Sequence, residues 1–171
     1  MQTFTIGITK TLIDWLAKTN IFLYSILITI IIFVIKGLFF GFIKIINVSD
    51  IQFRENLIDE NLEISVDLII DTLIIAPLLE TLVFQTLFYF FFKHVNINRW
   101  IIITLSAVAF GCYHNYSVFL MMNTFLIGLI FMYMYLKRAE INNSPYISTV
   151  SAHFTSNLFV TVLIFVTRFL A

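Results

Sequence analysis

Four polar residues lie in otherwise apolar stretches of the sequence, and their side chains could activate water. Glu80 stands in the segment APLLETLVFQTLF, His114 in AFGCYHNY, and His153 with Asn157 in SAHFTSNLF. A carboxylate and two imidazoles in one low-dielectric pocket could hydrolyse an amide, with Glu80 and His114 orienting and deprotonating water. His153 and Asn157, one helical turn apart, would then donate hydrogen bonds to the developing oxyanion.

Each of these residues also has a purely structural interpretation. A single buried histidine usually links two helices by a hydrogen bond, and Asn157 could hold two membrane helices together. Glu80 could pair with Lys36 or Lys44. However, every ionisable side chain at membrane depth adds its own insertion cost, so the set is harder to explain as packing than any single member. From the residues alone, both interpretations remain open.

The composition explains why these residues have apolar neighbours. Of 171 residues, 60% are hydrophobic and only 12% are charged, whereas soluble domains carry about 25% charged residues. Lipid must therefore surround most of the chain. Lys and Arg balance Asp and Glu at ten each, so there is no polybasic region for nucleic acid. We predict an all-α, polytopic membrane helix bundle that forms one membrane domain over residues 1–171.

Five apolar blocks follow one another, which predicts five transmembrane helices around a polar cavity. We expect them at about residues 20–40, 69–92, 100–116, 118–136 and 146–170, because about 20 residues span the hydrocarbon. Residues 1–20 form an amphipathic lead-in, and Lys36 or Lys44 would snorkel to the interface. Pro77 predicts a break or kink near Ala76–Pro77 and a fresh helix over 78–92, and a kink there could hide a sixth segment.

Charged residues between the blocks predict an orientation. Basic residues fall on alternate connections, namely Lys10 and Lys18, then Lys93 and Arg99, then Lys137 and Arg138. The positive-inside rule then places the N-terminus in the cytoplasm, and we expect an integral protein of a bacterial plasma membrane. The acidic segment 47–61 would lie outside. Glu63, Asp67 and Asp71 share one helical face, which either faces water or a neighbouring basic group, or lines a polar route to the site.

The depths of two candidate residues differ. His153 lies about one and a half to two turns into its block from the presumed cytoplasmic side, whereas His114 lies near the far end of its own. Straight spanning helices would not bring them together. Either the chain bends inward near Gly111, or the fourth block is a short re-entrant helix, or the topology differs by a segment.

The motifs around these residues, taken in order, resemble a known family. They are APLLETLVFQ at 76–85, FGCYH at 110–114, FLIG at 125–128 and HFTSN at 153–157. The set is similar to the CAAX prenyl protease and bacteriocin-processing family, also called the Abi family of intramembrane endopeptidases. That family carries Glu-Glu-x-x-x-Arg, Phe-x-x-x-His and His-x-x-x-Asn on successive membrane helices. Each motif alone is weak, but the ordered set, over about residues 72–165, is fairly specific.

The resemblance implies hydrolysis of a peptide bond in a membrane-associated peptide or protein. Glu80 takes the place of the first glutamate and His114 that of the water-activating histidine, while His153 and Asn157 match the oxyanion pair. The family has been described both as metalloproteases and as metal-free glutamate proteases. Because no His-Glu-x-x-His spacing is present, we favour a site without a cofactor, with zinc as the alternative.

Two positions depart from the family pattern. The second glutamate is replaced by Thr81 and the arginine by Gln85, so an ion pair one helical turn apart has lost both charges together. That double loss costs less than stranding one buried charge, and Thr81 and Gln85 could still share a hydrogen bond. The absence of both charges also supports an alternative function, that of a non-catalytic membrane immunity or scaffold protein of the bacteriocin self-immunity type. A third, weaker interpretation is a transport subunit that uses the acidic face.

Overall fold

The computed structural model describes residues 11–45, 65–95 and 97–170, and in these ranges every regular element is a helix. The six helices are α1 (residues 11–18), α2 (Ile21–Ile45), α3 (66–92), α4 (Arg99–Tyr113), α5 (Val118–Glu140) and α6 (Pro145–Leu170). The predicted all-α bundle is therefore confirmed. Lys10, the acidic segment 47–61, Glu63 and the side chain of Lys44 lie outside the described part of the chain.

Three helices are long and apolar enough to cross a membrane. They are α2 over Ile21–Ile43, α5 over Val118–Glu140 and α6 over Pro145–Thr167. The fourth apolar block is thus a full-length helix, and its interpretation as a short re-entrant helix was wrong. The short helix is α4, which is apolar but has only 15 residues. Whether α3 and α4 also span the bilayer stays a prediction.

Helix α3 continues through Pro77 without a break. Its consecutive segments alternate between α and π geometry, in the order Val66–Ile70, Asp71–Ile75, Ala76–Glu80, Thr81–Leu87 and Phe88–Phe92. The N–H of Ala76 donates to the carbonyl of Asp71, five residues earlier. This wider turn accommodates the proline ring, which in an α turn would meet the carbonyl four residues before it. The predicted fresh start at residue 78 was therefore wrong.

Helices α2 and α6 lie side by side and run in the same direction. Thr29 Oγ1 is 3.1 Å from Ser156 Oγ, and farther along both helices the rings of Phe33 and Phe159 are 4.5 Å apart. In both contacts the residue number rises along α2 and along α6 together, so the two helices are parallel. The height of a residue on α2 can therefore be compared directly with the height of a residue on α6.

The basic connections gather at one end of the bundle. Arg99, at the start of α4, lies 3.0 Å from Glu140 at the end of α5, and Lys137 lies 3.5 Å from Asp14 on α1. Arg138 is fully buried there and donates to the carbonyl of Thr19 at 3.2 Å. The basic connections thus lie together at one end of the bundle, as their alternation along the sequence predicted. Which side of the membrane this end faces stays a prediction.

Close packing joins α4 to α5. A Cβ at Gly128 would lie 3.0 Å from the Cα of Ala107, and a Cβ at Gly111 would lie 2.8 Å from the carbonyl oxygen of Met121. Small residues allow membrane helices to approach closely, which increases their van der Waals contact. The two glycines therefore hold the carboxyl half of α4, which ends at the site, firmly against α5.

Candidate active site

The carboxylate of Glu80 lies between two imidazoles. Its Oε1 is 3.7 Å from His114 Nε2, and its Oε2 is 3.6 Å from His153 Nε2. All three side chains are largely shielded, with 12% of Glu80, 20% of His114 and 9% of His153 exposed. Three helices thus place the Glu80 carboxylate between two imidazoles, one facing each of its oxygens.

The short length of α4 explains how His114 reaches this point. At 1.5 Å per residue, α4 is about 22 Å long, less than the roughly 30 Å of hydrocarbon. His114 caps its carboxyl end with φ −91° and ψ 52°, and its ring lies back along the helix, with Nδ1 2.9 Å from the carbonyl oxygen of Phe110. His114 therefore reaches the level of His153 because α4 ends early and because the His114 side chain turns back along the helix.

The same contact defines the tautomer of neutral His114. A carbonyl oxygen can only accept a hydrogen bond, so Nδ1 must carry the proton and donate it to Phe110. The lone pair of a neutral ring then lies on Nε2, which faces Glu80. This nitrogen can accept a proton from water or share one with the carboxyl group.

His153 is held mainly by aromatic packing. Its ring centroid lies 5.0 Å from that of Phe131 and 6.0 Å from that of Phe110. Its Nδ1 is buried and has no hydrogen-bond partner among the described residues. Protein contacts within that part of the chain therefore leave either tautomer of His153 available, including the one in which Nε2–H donates toward the cavity.

Asn157 lines the same cavity but also has a structural partner. Its Nδ2 donates to the carbonyl of Thr72 at 2.9 Å. In the π segment, the N–H of Ala76 is already given to Asp71, and the next residue, Pro77, has no N–H. Asn157 thus donates to the Thr72 carbonyl the hydrogen bond that the α3 backbone cannot donate. One of its two amide hydrogens remains for another acceptor.

The second π segment of α3 is also held by a neighbouring helix. Ser106 on α4 donates its hydroxyl hydrogen to the carbonyl of Phe84 at 2.5 Å. Glu80 lies between this contact and the one from Asn157. The segment that carries the carboxylate is therefore fixed from both sides, by α4 and by α6.

A cavity of about 400 Å³ adjoins these groups and is lined by α2 to α6. All four candidate residues line it: Glu80, His114, His153 and Asn157. Polar lining residues that the sequence did not assign to the site are Lys36, Thr72, Asn123, Thr124, Ser156 and Thr161. Lys36 and Asn123 interrupt apolar blocks, and the same insertion-cost argument that selected Glu80 would have found them.

The predicted acidic face of α3 borders the cavity at one of its described carboxylates and not at the other. Asp71 lines the cavity, as expected if this face borders a polar route to the site. Asp67, one turn earlier on α3, is exposed and lies off the cavity. Of the two carboxylates of this face that the structure describes, the one closer to the site therefore takes part in its surroundings.

Thr81 and Gln85 do not form the hydrogen bond that was considered for them. Both are buried, with 0% and 1% exposed, and neither Thr81 Oγ1 nor Gln85 Nε2 has a partner within the described ranges. They lie in a π segment, in which hydrogen bonds join residues five apart rather than four. The α-helical spacing used for the expectation does not apply there.

Zinc is the metal that the residue types at this site could hold. Among the described residues, no group of three or more His, Cys, Asp or Glu side chains is arranged to hold a metal ion. Glu80, His114 and His153 supply nitrogen and oxygen donors of the kind that zinc accepts, but they are not gathered around a common coordination point.

Comparison with known proteins agrees with the resemblance seen in the sequence. The family model Type II CAAX prenyl endopeptidase Rce1-like matches residues 62–159, which is more than half of the chain. No match was found among curated proteins or solved structures. The matched range includes all four candidate site residues, Glu80, His114, His153 and Asn157. This membrane protein therefore belongs to the Type II CAAX prenyl endopeptidase Rce1-like family.

Proposed function

We propose that this protein is a CAAX-protease-like intramembrane endopeptidase that hydrolyses a peptide bond of a membrane-associated peptide or protein. The observation that carries the proposal is the placement of Glu80 between His114 and His153 at the wall of the cavity. The distances of 3.6–3.7 Å from oxygen to nitrogen exceed those of direct hydrogen bonds. A water molecule can bridge groups at such a separation.

In the proposed reaction, Glu80 and His114 activate this water. Nε2 of neutral His114 accepts one hydrogen bond from it and orients it, while the ionised Glu80 carboxylate accepts its proton. The resulting hydroxide attacks the carbonyl carbon of the scissile bond. Protonated Glu80 then returns the proton to the departing amine, so that one water yields a carboxylic acid and an amine.

His153 and Asn157 would stabilise the oxyanion. His153 Nε2–H and the amide hydrogen of Asn157 that Thr72 does not use can both donate to it. Burial strengthens these interactions, because little water competes with them. We propose that the reaction needs no metal, so the activity should survive exhaustive treatment with a chelator.

The walls of the cavity favour a membrane-associated substrate. Its lining combines the polar groups with apolar side chains, among them Ile32, Leu120, Ile127 and Val160. Apolar walls stabilise apolar groups on a ligand and place its peptide bond beside the polar groups. A peptide delivered from the bilayer has both features.

Substitution Glu80→Gln tests the role of the base. It retains the shape of the side chain but cannot accept the proton of water, so turnover of a prenylated CAAX peptide should fall by about 10²–10⁴-fold. Binding and thermal stability should change little. The matched control is Asp67→Asn, which makes the same chemical change on an exposed part of α3 away from the cavity.

A non-catalytic immunity or scaffold role is the second candidate, favoured by the loss of both charges at positions 81 and 85. It predicts that Glu80→Gln leaves the cellular phenotype intact. The phenotype should therefore be measured together with protein abundance, since loss of both indicates misfolding. Full function of a stably expressed Glu80→Gln protein would rule out the protease.

A further inference from the structure

A fully buried arginine lies at the basic end of the bundle, away from the cavity. Arg138, in the last turn of α5, is 0% exposed, whereas charged side chains are almost never fully buried unless they are paired. It is not among the residues that line the cavity, and the proposed reaction does not use it. What offsets its charge is therefore a separate question about this end of the molecule.

No carboxylate pairs with Arg138 within the described residues. At this end of the bundle, Asp14 lies 3.5 Å from Lys137, and Glu140 lies 3.0 Å from Arg99 and 3.4 Å from Lys137. These two carboxylates thus serve other cations. A cation that is removed from water without a counter-ion costs several kcal/mol, so its charge needs another partner.

Two carbonyl oxygens hold the guanidinium in place without neutralising it. Arg138 donates from Nε to the carbonyl of Asn143 at 2.8 Å and from Nη1 to that of Thr19 at 3.2 Å. Both carbonyls follow the carboxyl end of a helix, where the backbone carries at most about half a negative charge. The third nitrogen, Nη2, has no hydrogen-bond partner in the described part of the chain. Part of the charge and one nitrogen are therefore left over.

Two buried hydroxyl groups accompany this guanidinium. Its central carbon lies 4.5 Å from the centroid of the Tyr24 ring, and the Thr149 hydroxyl lies beside that of Tyr24. Tyr24 is five residues before Thr29 on α2, and Thr149 is seven residues before Ser156 on α6, so their levels differ by about 3 Å. Both side chains are 0% exposed, and neither hydroxyl makes a hydrogen bond of good geometry within the described ranges.

Hydrogen-bond donors exceed acceptors among these three groups. Nη2 carries hydrogens without an acceptor, and two hydroxyls that pair with each other still leave one hydrogen unused. A water molecule can accept hydrogen bonds but brings no charge. A monovalent anion accepts several and also neutralises the cation. Because all three side chains are enclosed by protein, the position suits a small free ion rather than a headgroup attached to acyl chains.

We propose that Arg138, Tyr24 and Thr149 bind a small monovalent anion of the size of chloride where α2, α5 and α6 meet. The anion would join these three helices, and the same guanidinium also holds α1 through the carbonyl of Thr19. Thr149 lies one helical turn before His153 on α6, so the ion would stabilise the end of the bundle beside the candidate active site. This role does not depend on the proposed protease function.

The chloride dependence of thermal unfolding tests the site. The full chain, in an uncharged detergent, is dialysed into sodium gluconate, and chloride is then added at constant ionic strength. The Tm should rise by about 3–6 °C when chloride reaches about ten times its Kd. Tyr24→Phe and Thr149→Val each remove one donor and largely retain the shape, so each should raise the chloride concentration needed for this rise by about 10-fold. Arg138→Gln should abolish the response.

Arg99→Gln is the matched control, because it makes the same change at the same end, at an arginine that already pairs with Glu140. This variant should keep the chloride response of the wild type. Bromide should replace chloride, and crystals grown with bromide should show an anomalous peak beside Arg138 Nη2.

The single-donor variants keep the test decisive even where Arg138→Gln does not fold. A Tm that is independent of chloride would overturn the site and show that the helix ends suffice for Arg138. A chloride response that Tyr24→Phe and Thr149→Val both leave unchanged would overturn it too, because the anion would then bind elsewhere.

Discussion

The two oxygens of the Glu80 carboxylate face different imidazoles, and this division gives the side chains distinct roles. His114 is bonded through Nδ1 to a backbone carbonyl, so its neutral ring presents an acceptor to Glu80. His153 has no such partner at Nδ1 in the described part of the chain, so its Nε2 can carry the hydrogen. One histidine therefore suits water activation and the other suits donation to an oxyanion.

The buried pair Thr81 and Gln85 gives a prediction about lost charges. Thr81→Glu alone or Gln85→Arg alone should destabilise the protein by about 3–5 kcal/mol, because each places an unpaired charge at a fully buried position. The double variant should be more stable than either, provided that the longer Glu and Arg side chains reach each other across the π segment, which Thr81 and Gln85 do not. Thermal unfolding in detergent, with membrane insertion checked for each protein, measures this. Equal losses in single and double variants would mean that the side chains do not face each other.

The π segments of α3 determine where Glu80 points. A π turn shifts the register of the residues after it relative to those before it. The segment before Ala76–Glu80 therefore sets the direction of this carboxylate relative to the start of α3, and the segment after it sets that direction relative to the end of α3. Each segment receives a side-chain hydrogen bond, from Asn157 and from Ser106. Helix α3 is thus positioned by its neighbours as well as by its own backbone.

The contact between Asn157 and Thr72 gives a prediction that involves Pro77. Asn157→Ala should cost about 1–2 kcal/mol of stability, because it leaves the Thr72 carbonyl without a donor. In a Pro77→Ala background the cost should be smaller, since residue 77 then supplies a backbone N–H. A double-mutant cycle by thermal unfolding measures the coupling. An equal cost in both backgrounds would show that proline does not create the need for Asn157.

The molecule as a whole has one basic end and one end that carries the connection after His114. At the first end, Arg99 contacts Glu140 at the end of α5, Lys137 contacts Asp14 on α1, and Arg138 donates to the carbonyl of Thr19, just after α1. If this end faces the cytoplasm, as the positive-inside rule predicts, the N-terminus is cytoplasmic. The bacterial plasma membrane is the location in which we expect this arrangement.

Cysteine labelling can test this orientation. The chain has one cysteine, Cys112, so a Cys112→Ser protein provides a background for His94→Cys at the basic end and Asn115→Cys at the other. Both positions are exposed. A membrane-impermeant maleimide should label residue 115 in intact cells and residue 94 only after permeabilisation. The opposite pattern would reverse the orientation, and labelling of both from one side would show that α4 does not span.

Composition and motif order determined the class of this protein. So few charges in 171 residues require lipid around the chain, and the spacing of polar residues within apolar blocks led to Glu80, His114, His153 and Asn157. The helices lie close to the predicted blocks because hydrophobic length and turn residues such as Pro145 are local properties. The ordered motifs also identified the family.

Only the tertiary structure decided how these residues meet. The early end of α4, the passage of α3 through Pro77 and the parallel register of α2 and α6 all depend on contacts between helices. Hydrogen bonds such as Asn157 to Thr72 join residues far apart in sequence, and no local pattern encodes them. Lys36 had the same apolar neighbours whether it faced lipid or the cavity. Its role as a wall of the site depends on which face of α2 packs inward, and packing against α6 determines that face.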